Sequence, residues 1–367
     1  MMHRACRSII TSAVALLCPL AVAQSYQVIV AETPVGAGGG QPVRRYLLTE
    51  PFAIESPVTS IPGASLNDPV SVAFRSPLEA FIGNRAAHSG NGSVQRCTFS
   101  PDLTTVTIGA LISGNSITDC AQIAFSPVDG ELFVTNFTGG MVSRFVFDGA
   151  DNALANGTIQ MPDGANQLGI AFRPADQQLF VSSYTFIRRF SRNLDGTYSY
   201  IGNFGPGTSS IHFMRFKGDE LYVCDIAGNS IFRYRFDASG VPYLHKARSF
   251  PSPIDVAFSP DDREMYVSSH FGAGINRYNY IADNDEWEFL ANIATPQLGG
   301  IAVTRLAVCQ GDLDNDRRVN LTDLAILLSN FGQPSGAVFG DGDIDDDGAV
   351  TLTDLALLLS QFGTSCG

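Results

Sequence analysis

Residues 24–308 alternate between apolar and polar positions in short runs. Val, Ile, Phe and Tyr fill the runs, and Gly, Pro, Asn, Asp and Ser separate them about every eight to twelve positions. Alternation with a period of two places every second side chain on the same face of a strand, and β-branched and aromatic residues favour strands. The pattern therefore predicts an all-β region built from many short strands.

The same three strands recur along this region. The first ends in Ala-Phe or an equivalent pair, and the second reads like LFVTN at 132–136. The third carries an arginine, and the spacings between successive arginines are 48, 45, 44 and 44 residues: Arg96, Arg144, Arg189, Arg233 and Arg277. A repeat of this length is typical of a β-propeller. We expect this arginine column to be structural, stacked on aromatic rings or paired between blades.

Five full units leave one first strand, at 298–304, without its successors. The missing strands lie at the other end of the chain, where 28–32 match a second strand and 43–46 match a third, with Arg45 in the arginine column. Pairing the first strands with the last closes the ring and removes an exposed sheet edge. The sequence therefore predicts a mainly β fold, a six-bladed β-propeller closed by its terminal strands.

The last part of the chain follows a helical pattern. The segments 311–332 and 342–363 are one unit written twice, each with acidic residues at alternate positions and then an apolar stripe. The stripes have the spacing of one helix face and consist of Leu324, Leu327, Leu328, Phe331 and of Leu355, Leu358, Leu359, Phe362. We therefore predict two short helices whose stripes face each other.

The clustered carboxylates indicate calcium, which takes six to eight oxygens from a loop of this spacing. The predicted ligands of the first site are Asp312, Asp314, Asp316, the Arg318 carbonyl, Asn320 and Asp323. Those of the second site are Asp343, Asp345, Asp347, the Ala349 carbonyl, Thr351 and Asp354. We therefore predict two Ca²⁺ sites. The alternative, a disordered acidic tail, does not account for the repeated leucine stripes.

The two loop–helix repeats resemble the dockerin family of calcium-binding modules. The resemblance covers 309–367 and rests on the duplicated loops and on aspartate at position twelve, Asp323 and Asp354. It implies a cohesin-like protein or a cell-surface component as partner, and a carbohydrate as the leading ligand. Cys309 and Cys366 bracket this module, and we expect a disulfide between them. Within the propeller, 221–236 resemble the repeat of NHL-type propellers, and the region as a whole resembles six-bladed propellers of the NHL/TolB-like type.

Residues 1–23 have the pattern of a secretory signal peptide, with Arg4 and Arg7 before an apolar run and a small-residue cleavage site. No later segment reaches the length of a membrane span, so we expect a secreted, extracellular protein with no transmembrane segment. Five cysteines remain after cleavage, so at least one stays free. Cys97 and Cys120 could pair, and Cys224 is expected to be a buried thiol.

The formal net charge is −13, and the ten acidic residues and two arginines of 309–367 contribute −8 of it. Because nucleic-acid binding needs a basic face, this balance excludes a nucleic-acid partner. The predicted domains are a signal peptide (1–23), a propeller (24–308) and a dockerin-like module (309–367).

Ligand sites of propellers lie at the mouth, in the loops before the first strands and between the second and third. Polar residues at or just after the ends of second strands form the predicted ligand-binding set: Glu32, Asn84, Asn136, Asp225 and His270. They could hold a metal ion or a sugar. Short polar residues also end strands because they cap turns. The histidines after the signal peptide are scattered without metal-ligand spacing, and most are expected at the surface: His88, His212, His245 and His270.

Three functions remain open. The first is an exported binding or assembly protein, attached through its calcium module and involved in polysaccharide binding or breakdown. The second is a secreted hydrolase, lactonase-like or glycan-cleaving, with its site at the mouth. Metal-dependent lactonases of the gluconolactonase type have a similar architecture, but the Asn-Gly and Asp-Gly starts of their inner strands are absent here. The third is a calcium module that only stabilises the propeller.

Overall fold

The structure is a computed structural model of the chain. It describes residues 25–32, 43–49, 53–54, 59–61, 66–86, 91–100, 105–208, 210–260, 262–271, 274–294, 298–305, 311–314, 318–335, 337, 339–344 and 348–364. The predicted signal peptide, both cysteines of the predicted disulfide, His88 and three calcium ligands, Asp316, Asp345 and Asp347, lie outside these residues.

Within these described residues, twenty-five strands form six antiparallel sheets. The chain begins with β1 (Ser25–Glu32), β2 (Val43–Thr49), β3 (Ala53–Ile54) and β4 (Thr59–Ile61). Blade 1 contains β5 (Pro69–Ser76), β6 (Glu79–Asn84), β7 (Ser93–Phe99) and β8 (Val106–Ile112). Blade 2 contains β9 (Cys120–Phe125), β10 (Leu132–Asn136), β11 (Met141–Phe147) and β12 (Ala153–Gln160).

Three further blades follow the same order. Blade 3 contains β13 (Ile170–Phe172), β14 (Leu179–Ser182), β15 (Ile187–Arg192) and β16 (Tyr198–Phe204). Blade 4 contains β17 (Ile211–Lys217), β18 (Glu220–Asp225), β19 (Ser230–Phe236) and β20 (Pro242–Ser249). Blade 5 contains β21 (Pro253–Phe258), β22 (Glu264–Ser269), β23 (Ile275–Ile281) and β24 (Glu286–Ile293).

Blade 6 closes the ring with strands from both ends of the propeller. The strand β25 (Leu298–Arg305) pairs with β1, and β1 pairs with β2. Val28 lies opposite Val303 on one side, and Ile29 lies opposite Arg45 on the other. This pairing confirms the predicted six-bladed propeller with a sixth blade shared between terminal strands.

Side-chain burial falls from the inner to the outer strands of a blade. In blade 2 every residue of β10 is buried, whereas most of β12 is exposed. Apolar side chains from neighbouring blades pack together, as Phe133 and Val142 of blade 2 do with Ile170 and Leu179 of blade 3. Each sheet therefore buries its two faces against its neighbours, which explains why the inner strands read as nearly continuous apolar runs.

Four arginines of the column join their blade to the next one. Arg144 donates to Glu131 in its own blade at 2.7 Å and to the Gly196 carbonyl of the next blade at 2.9 Å, and its guanidinium lies 5.3 Å from the Phe133 ring centre. Gly196 has a φ of 80°, which turns its carbonyl toward the neighbouring blade. Equivalent bonds join Arg96 to Asp151, Arg189 to Gly240 and Arg233 to Asp285. The expected structural role is confirmed.

A second kind of arginine crosses the propeller axis. Arg215 of β17 occupies the column that holds alanine in most blades, and its Nη2 donates to the carbonyls of Val72 (3.3 Å) and Ile301 (2.8 Å). The same atom lies 3.0 Å from a carboxylate oxygen of Asp255, which is fully buried. Three other blades are thus joined through one guanidinium, at the middle of their first strands.

The C-terminal residues contain two helices, α1 (Leu321–Ser329) and α2 (Leu352–Gln361). Asn320 and Thr351 cap them, and each helix has a complete capping box. Val319 exchanges backbone hydrogen bonds with residues 363–364 after α2, and Val350 does so with residues 332–333 after α1. Each repeat is therefore completed by the other, as the sequence predicts.

The predicted packing of the apolar stripes is only partly right. Leu327 and Leu358 are fully buried and Leu324 and Leu355 partly so. The other stripe residues are exposed, contrary to the prediction: Leu328, Phe331, Leu359 and Phe362. The helices have nine and ten residues, so each presents only a narrow stripe to the small shared core.

The described cysteines are all unpaired and buried: Cys97, Cys120 and Cys224. A bridge between the first two, left open by the sequence, is therefore absent, and the buried thiol of Cys224 is confirmed. No helix in the described part of the chain combines the length and apolar character needed to cross a membrane.

Removing an arginine of the column will destabilise the propeller. Arg144→Ala leaves the Glu131 carboxylate buried without its cationic partner, and loss of one member of a buried ion pair costs about 3–5 kcal/mol. Arg192→Ala, which removes a more exposed pair with Asp129, should cost less than about 1 kcal/mol. Urea unfolding measures both free energies, and equal losses would contradict the assignment.

Candidate functional site

A cavity of about 180 Å³ lies at the propeller mouth, where the first strands begin. Its polar or ionisable lining residues are Arg85, Cys120, Tyr184, His212 and His270. Its remaining lining residues are Val70, Ala121, Phe137, Leu168, Phe213, Ile254 and Gly299. All six blades contribute, so this is the point where side chains from the whole ring converge.

One repeated backbone bond positions several of these side chains. The residue after the second strand donates its N–H to a carbonyl in the loop before the first strand of the same blade. Arg85 bonds to Asp68 at 2.9 Å, Phe137 to Asp119 at 2.7 Å, and His270 to Ser252 at 2.9 Å. Asp68 and Ser252 have φ values of 55° and 43°, a left-handed conformation that places strain at the mouth.

Three of the five predicted polar residues are not part of the lining of this cavity. Asn84, Asn136 and Asp225 are buried but do not line it. The Asn136 amide accepts from the Thr118 N–H at 3.0 Å and donates to the Met141 carbonyl at 3.0 Å, and Asp225 accepts from the Gly228 N–H at 3.1 Å. These side chains brace the loops around them. His270 does line the cavity, and the side chain of Glu32 lies outside the described part.

Arg85 is the electrostatic centre of the cavity. Its Nε lies 2.8 Å from a carboxylate oxygen of Asp68, and about a quarter of its side chain is exposed. Its charge contributes to lowering the pKa of both His212 and His270 and opposes the rise in the pKa of Tyr184. Because Asp68 fixes the guanidinium from one side, its other N–H groups can meet a ligand.

The two imidazoles are neutral at physiological pH. Desolvation lowers the pKa of His212 from 6.5 to about 4, and the nearby His270 lowers it further. Desolvation also lowers the pKa of His270, while a hydrogen bond to the Leu298 backbone opposes that shift. The cavity therefore presents uncharged imidazoles beside one guanidinium.

Each imidazole has one nitrogen that makes no hydrogen bond to the described residues. His212 Nδ1 lies 3.0 Å from the Ser210 carbonyl, a contact that requires Nδ1 to carry the proton and leaves Nε2 with a free lone pair. His270 Nδ1 is buried and has no hydrogen-bond partner within the described residues. Tyr184 packs edge-on against His212 with ring centres 6.0 Å apart, which restricts the imidazole orientation.

Among the described residues, the one group of acidic, histidine or cysteine side chains close enough to hold a metal lies elsewhere. Asp312, Asp314 and Asp323 bring carboxylate oxygens within 4.8 Å of one another in the first C-terminal loop. Asp312 and Asp323 are buried. All three offer the oxygen donors that calcium prefers, so the residues fit the predicted ion.

Helix capping already uses the carboxylate at position twelve of each loop. Asp323 accepts from the N–H groups of Leu313 (2.6 Å), Asp314 (3.2 Å) and Asn320 (2.8 Å). Asp354 accepts from Ile344 and Thr351 at 2.7 Å each. Asp343, at the start of the second loop, is also buried and accepts from the Gly348 N–H at 2.8 Å. Both loops are therefore preorganised around these carboxylates.

The sequence prediction missed Arg85 and Tyr184 as members of this site. Both directly follow polar residues at or just after the ends of second strands, Asn84 and Ser183. Successive side chains alternate in direction along an extended strand, so the position after each strand end faces the axis. Examining the position one residue further along, after each second strand, would have found them.

The neutral state of His212 can be measured by ring ¹⁵N NMR. We expect its imidazole to stay neutral as the pH falls from 7 to 5 and to titrate near 4, because the cavity disfavours the charged form. Unfolded chains bind that proton near pH 6.5, so stability should decline between those values as the pH falls. Titration of His212 above pH 6 in the folded protein would contradict this assignment.

No family model matches the sequence, and no curated protein matches it either. Solved structures with the same fold include the periplasmic gluconolactonase PpgL of Pseudomonas aeruginosa, with 13% identity and a TM-score of 0.58 over 76% of this chain and 99% of that one. A candidate 6-phosphogluconolactonase of Bacteroides fragilis has 10% identity and a TM-score of 0.58 over 76% and 98%. A chain of a nidogen–laminin complex has 12% identity and a TM-score of 0.55 over 76% and 98%. At these identities the likeness establishes the propeller fold alone.

Proposed function

We propose that this protein is an exported hydrolase of small lactones, with its active site in the mouth cavity. The observation that carries the proposal is the meeting of a neutral imidazole, a second imidazole and a fixed guanidinium in one enclosed space. Ester hydrolysis requires a general base to activate water and a hydrogen-bond donor to stabilise the developing negative charge. An imidazole can supply the first and the guanidinium the second.

The proposed reaction assigns one task to each group. His212 Nε2 takes a proton from water, and the oxygen of that water forms a bond to the lactone carbonyl carbon. Arg85 donates to the carbonyl oxygen as negative charge develops on it. The ring C–O bond then breaks, and the leaving oxygen receives the proton from the imidazolium. The product is the open hydroxy acid, and no other reactant is consumed.

The structural likeness supports the reaction class. The Pseudomonas aeruginosa neighbour is a gluconolactonase, and it shares the propeller at nearly its full length. That neighbour is also periplasmic, which agrees with export through the predicted signal peptide at 1–23. These points favour the hydrolase over the binding platform that the sequence places first.

A second proposed function concerns the C-terminal helices, which we propose to be a calcium-dependent, dockerin-like attachment module. Three carboxylates converge in the first loop although two of them are buried, an arrangement that a cation stabilises. The second loop repeats the pattern, with Asp343 and Asp354 buried. Two Ca²⁺ ions would be held by the ligands predicted from the sequence.

The exposed apolar residues of this module support a docking role. Equivalent positions of the two repeats have nearly equal exposures: 73% for Leu321 and Leu352, 53% and 52% for Leu328 and Leu359, and 43% and 41% for Phe331 and Phe362. Exposed apolar residues mark an interaction surface when they form one patch, and the proposed docking surface consists of these six. The proposed partner is a cohesin-like protein or a cell-surface component, which would hold the enzyme near its substrate, for example at a polysaccharide.

The hydrolase proposal is tested by assaying the mature chain on lactones with a pH indicator. His212→Gln should lower kcat/KM by roughly 100- to 10,000-fold, the usual loss for a general base. His245→Gln is the matched control, because that histidine lies on β20, the outer strand of blade 4, and pairs with Asp285 of blade 5. It should retain the wild-type rate.

Two results would refute the assignment. The first is wild-type protein that opens neither sugar nor apolar lactones above the background rate. The second is full activity in the His212→Gln variant, with the fold verified by circular dichroism.

Calcium binding is tested by calorimetry on the full mature chain. We expect two ions per chain, and loss of one ion in each of the variants Asp312→Asn and Asp343→Asn, because each substitution removes a charged ligand from one loop. Asp195→Asn, at an exposed turn of the propeller, is the control and should still bind two. Uptake that neither loop variant reduces would contradict the proposed sites.

A further inference from the structure

The walls of the mouth cavity are apolar. The side chains that form them are Val70, Ala121, Phe137, Leu168, Phe213 and Ile254. Four of them also form a small hydrophobic cluster at the mouth, together with Ile226. Each wall residue comes from the start of a first strand or from the position after a second strand, so the apolar character is distributed around the ring.

The side chains that usually bind sugar hydroxyls are turned away from this space. Asn84 accepts from the Asn67 N–H at 3.3 Å, and Asn136 bonds to the Thr118 and Met141 backbones. Asp225 accepts from Gly228, and its carboxylate does not reach the lining. Within the described part of the lining, the hydrogen-bonding groups are therefore the guanidinium, two imidazoles, a phenol and a thiol.

The cavity is also small. Its volume of about 180 Å³ equals roughly six water molecules at the 30 Å³ that each occupies in the liquid. Pockets for larger ligands usually measure about 300–1,000 Å³. This volume suits one ring system better than an oligosaccharide.

We infer that the substrates are small lactones whose rings carry carbon substituents, and that sugar lactones are poor substrates. This inference rests on the proposed hydrolase function. A sugar lactone would bury several hydroxyl groups against phenylalanine, leucine and isoleucine, and each unpaired hydroxyl is costly to desolvate. An aromatic or alkyl ring would instead bury apolar surface, while its one carbonyl meets Arg85.

With an apolar substrate, few polar groups of the cavity need a hydrogen-bonding partner on the ligand, and the reaction supplies those partners. The lactone carbonyl accepts from Arg85, and the attacking water donates to His212 Nε2. The imidazole of His270 lines the same cavity and keeps its charged form disfavoured beside the guanidinium. The sugar neighbours thus share the fold and the reaction class with this chain and differ in substrate.

The test compares dihydrocoumarin, an apolar aromatic lactone, with gluconolactone. We expect kcat/KM for dihydrocoumarin to be at least about 100-fold higher, because a single extra hydroxyl in a hydrophobic pocket already costs about that factor. Phe137→Gln, which replaces an apolar wall with an amide, should reduce this ratio about tenfold or more. Phe289→Gln, at an exposed position of an outer strand, should leave it unchanged.

Binding of unreactive lactams separates this inference from the hydrolase proposal. Dihydrocarbostyril is the lactam of dihydrocoumarin, and calorimetry should show that it binds more tightly than gluconolactam. Tight dihydrocarbostyril binding without hydrolysis of any lactone would refute the hydrolase proposal but support a binding site for apolar rings. Faster opening of gluconolactone, or tighter binding of gluconolactam, would refute the preference for apolar rings but not the hydrolase proposal. If neither lactam binds, the inference is overturned.

Discussion

The pairing of β1 with β25 is the constraint on which the rest of the propeller depends. A row of five four-stranded sheets has two open ends, and only a sixth sheet made from both terminal segments removes them. Closure places six first strands around one axis, and their starts then form the walls of one cavity. Arg215 reinforces this arrangement from within, because it joins three other blades at the middle of those strands. The arginine column reinforces it from outside through bonds between neighbouring blades.

Much of this architecture is readable from the sequence because it repeats. The arginine spacing, the alternation within strands and the split sixth blade each follow from a simple period, and each is present in the structure. The axial role of Arg215 could not be read in the same way. It appears in the alignment of repeats as one irregular residue in a column of alanines, and only the closed ring shows that its side chain reaches the carbonyls of Val72 and Ile301.

The site was harder to predict, and the reason is the alternation of side chains in extended chain. Polarity at the ends of second strands drew attention to Asn84, Asn136 and Asp225, which are polar because they brace turns. The neighbouring positions face the axis, and most of them are apolar or aromatic, so their chemistry gives no signal in isolation. The predicted burial of the C-terminal stripes was partly wrong for a related reason. Spacing identifies a helix face, but the size of the opposing core decides how much of that face is buried, as Leu327 and Leu328 show.

We infer above all that a small apolar ring binds beside two neutral imidazoles at the propeller mouth. The most direct measurement is NMR of the mature chain labelled with ¹⁵N-histidine, titrated with dihydrocarbostyril. We expect the ring signals of His212 and His270 to shift together with one binding curve, while the signal of His245 stays in place. Unchanged signals from His212 and His270 at saturating lactam, or a shift confined to His245, would contradict this inference.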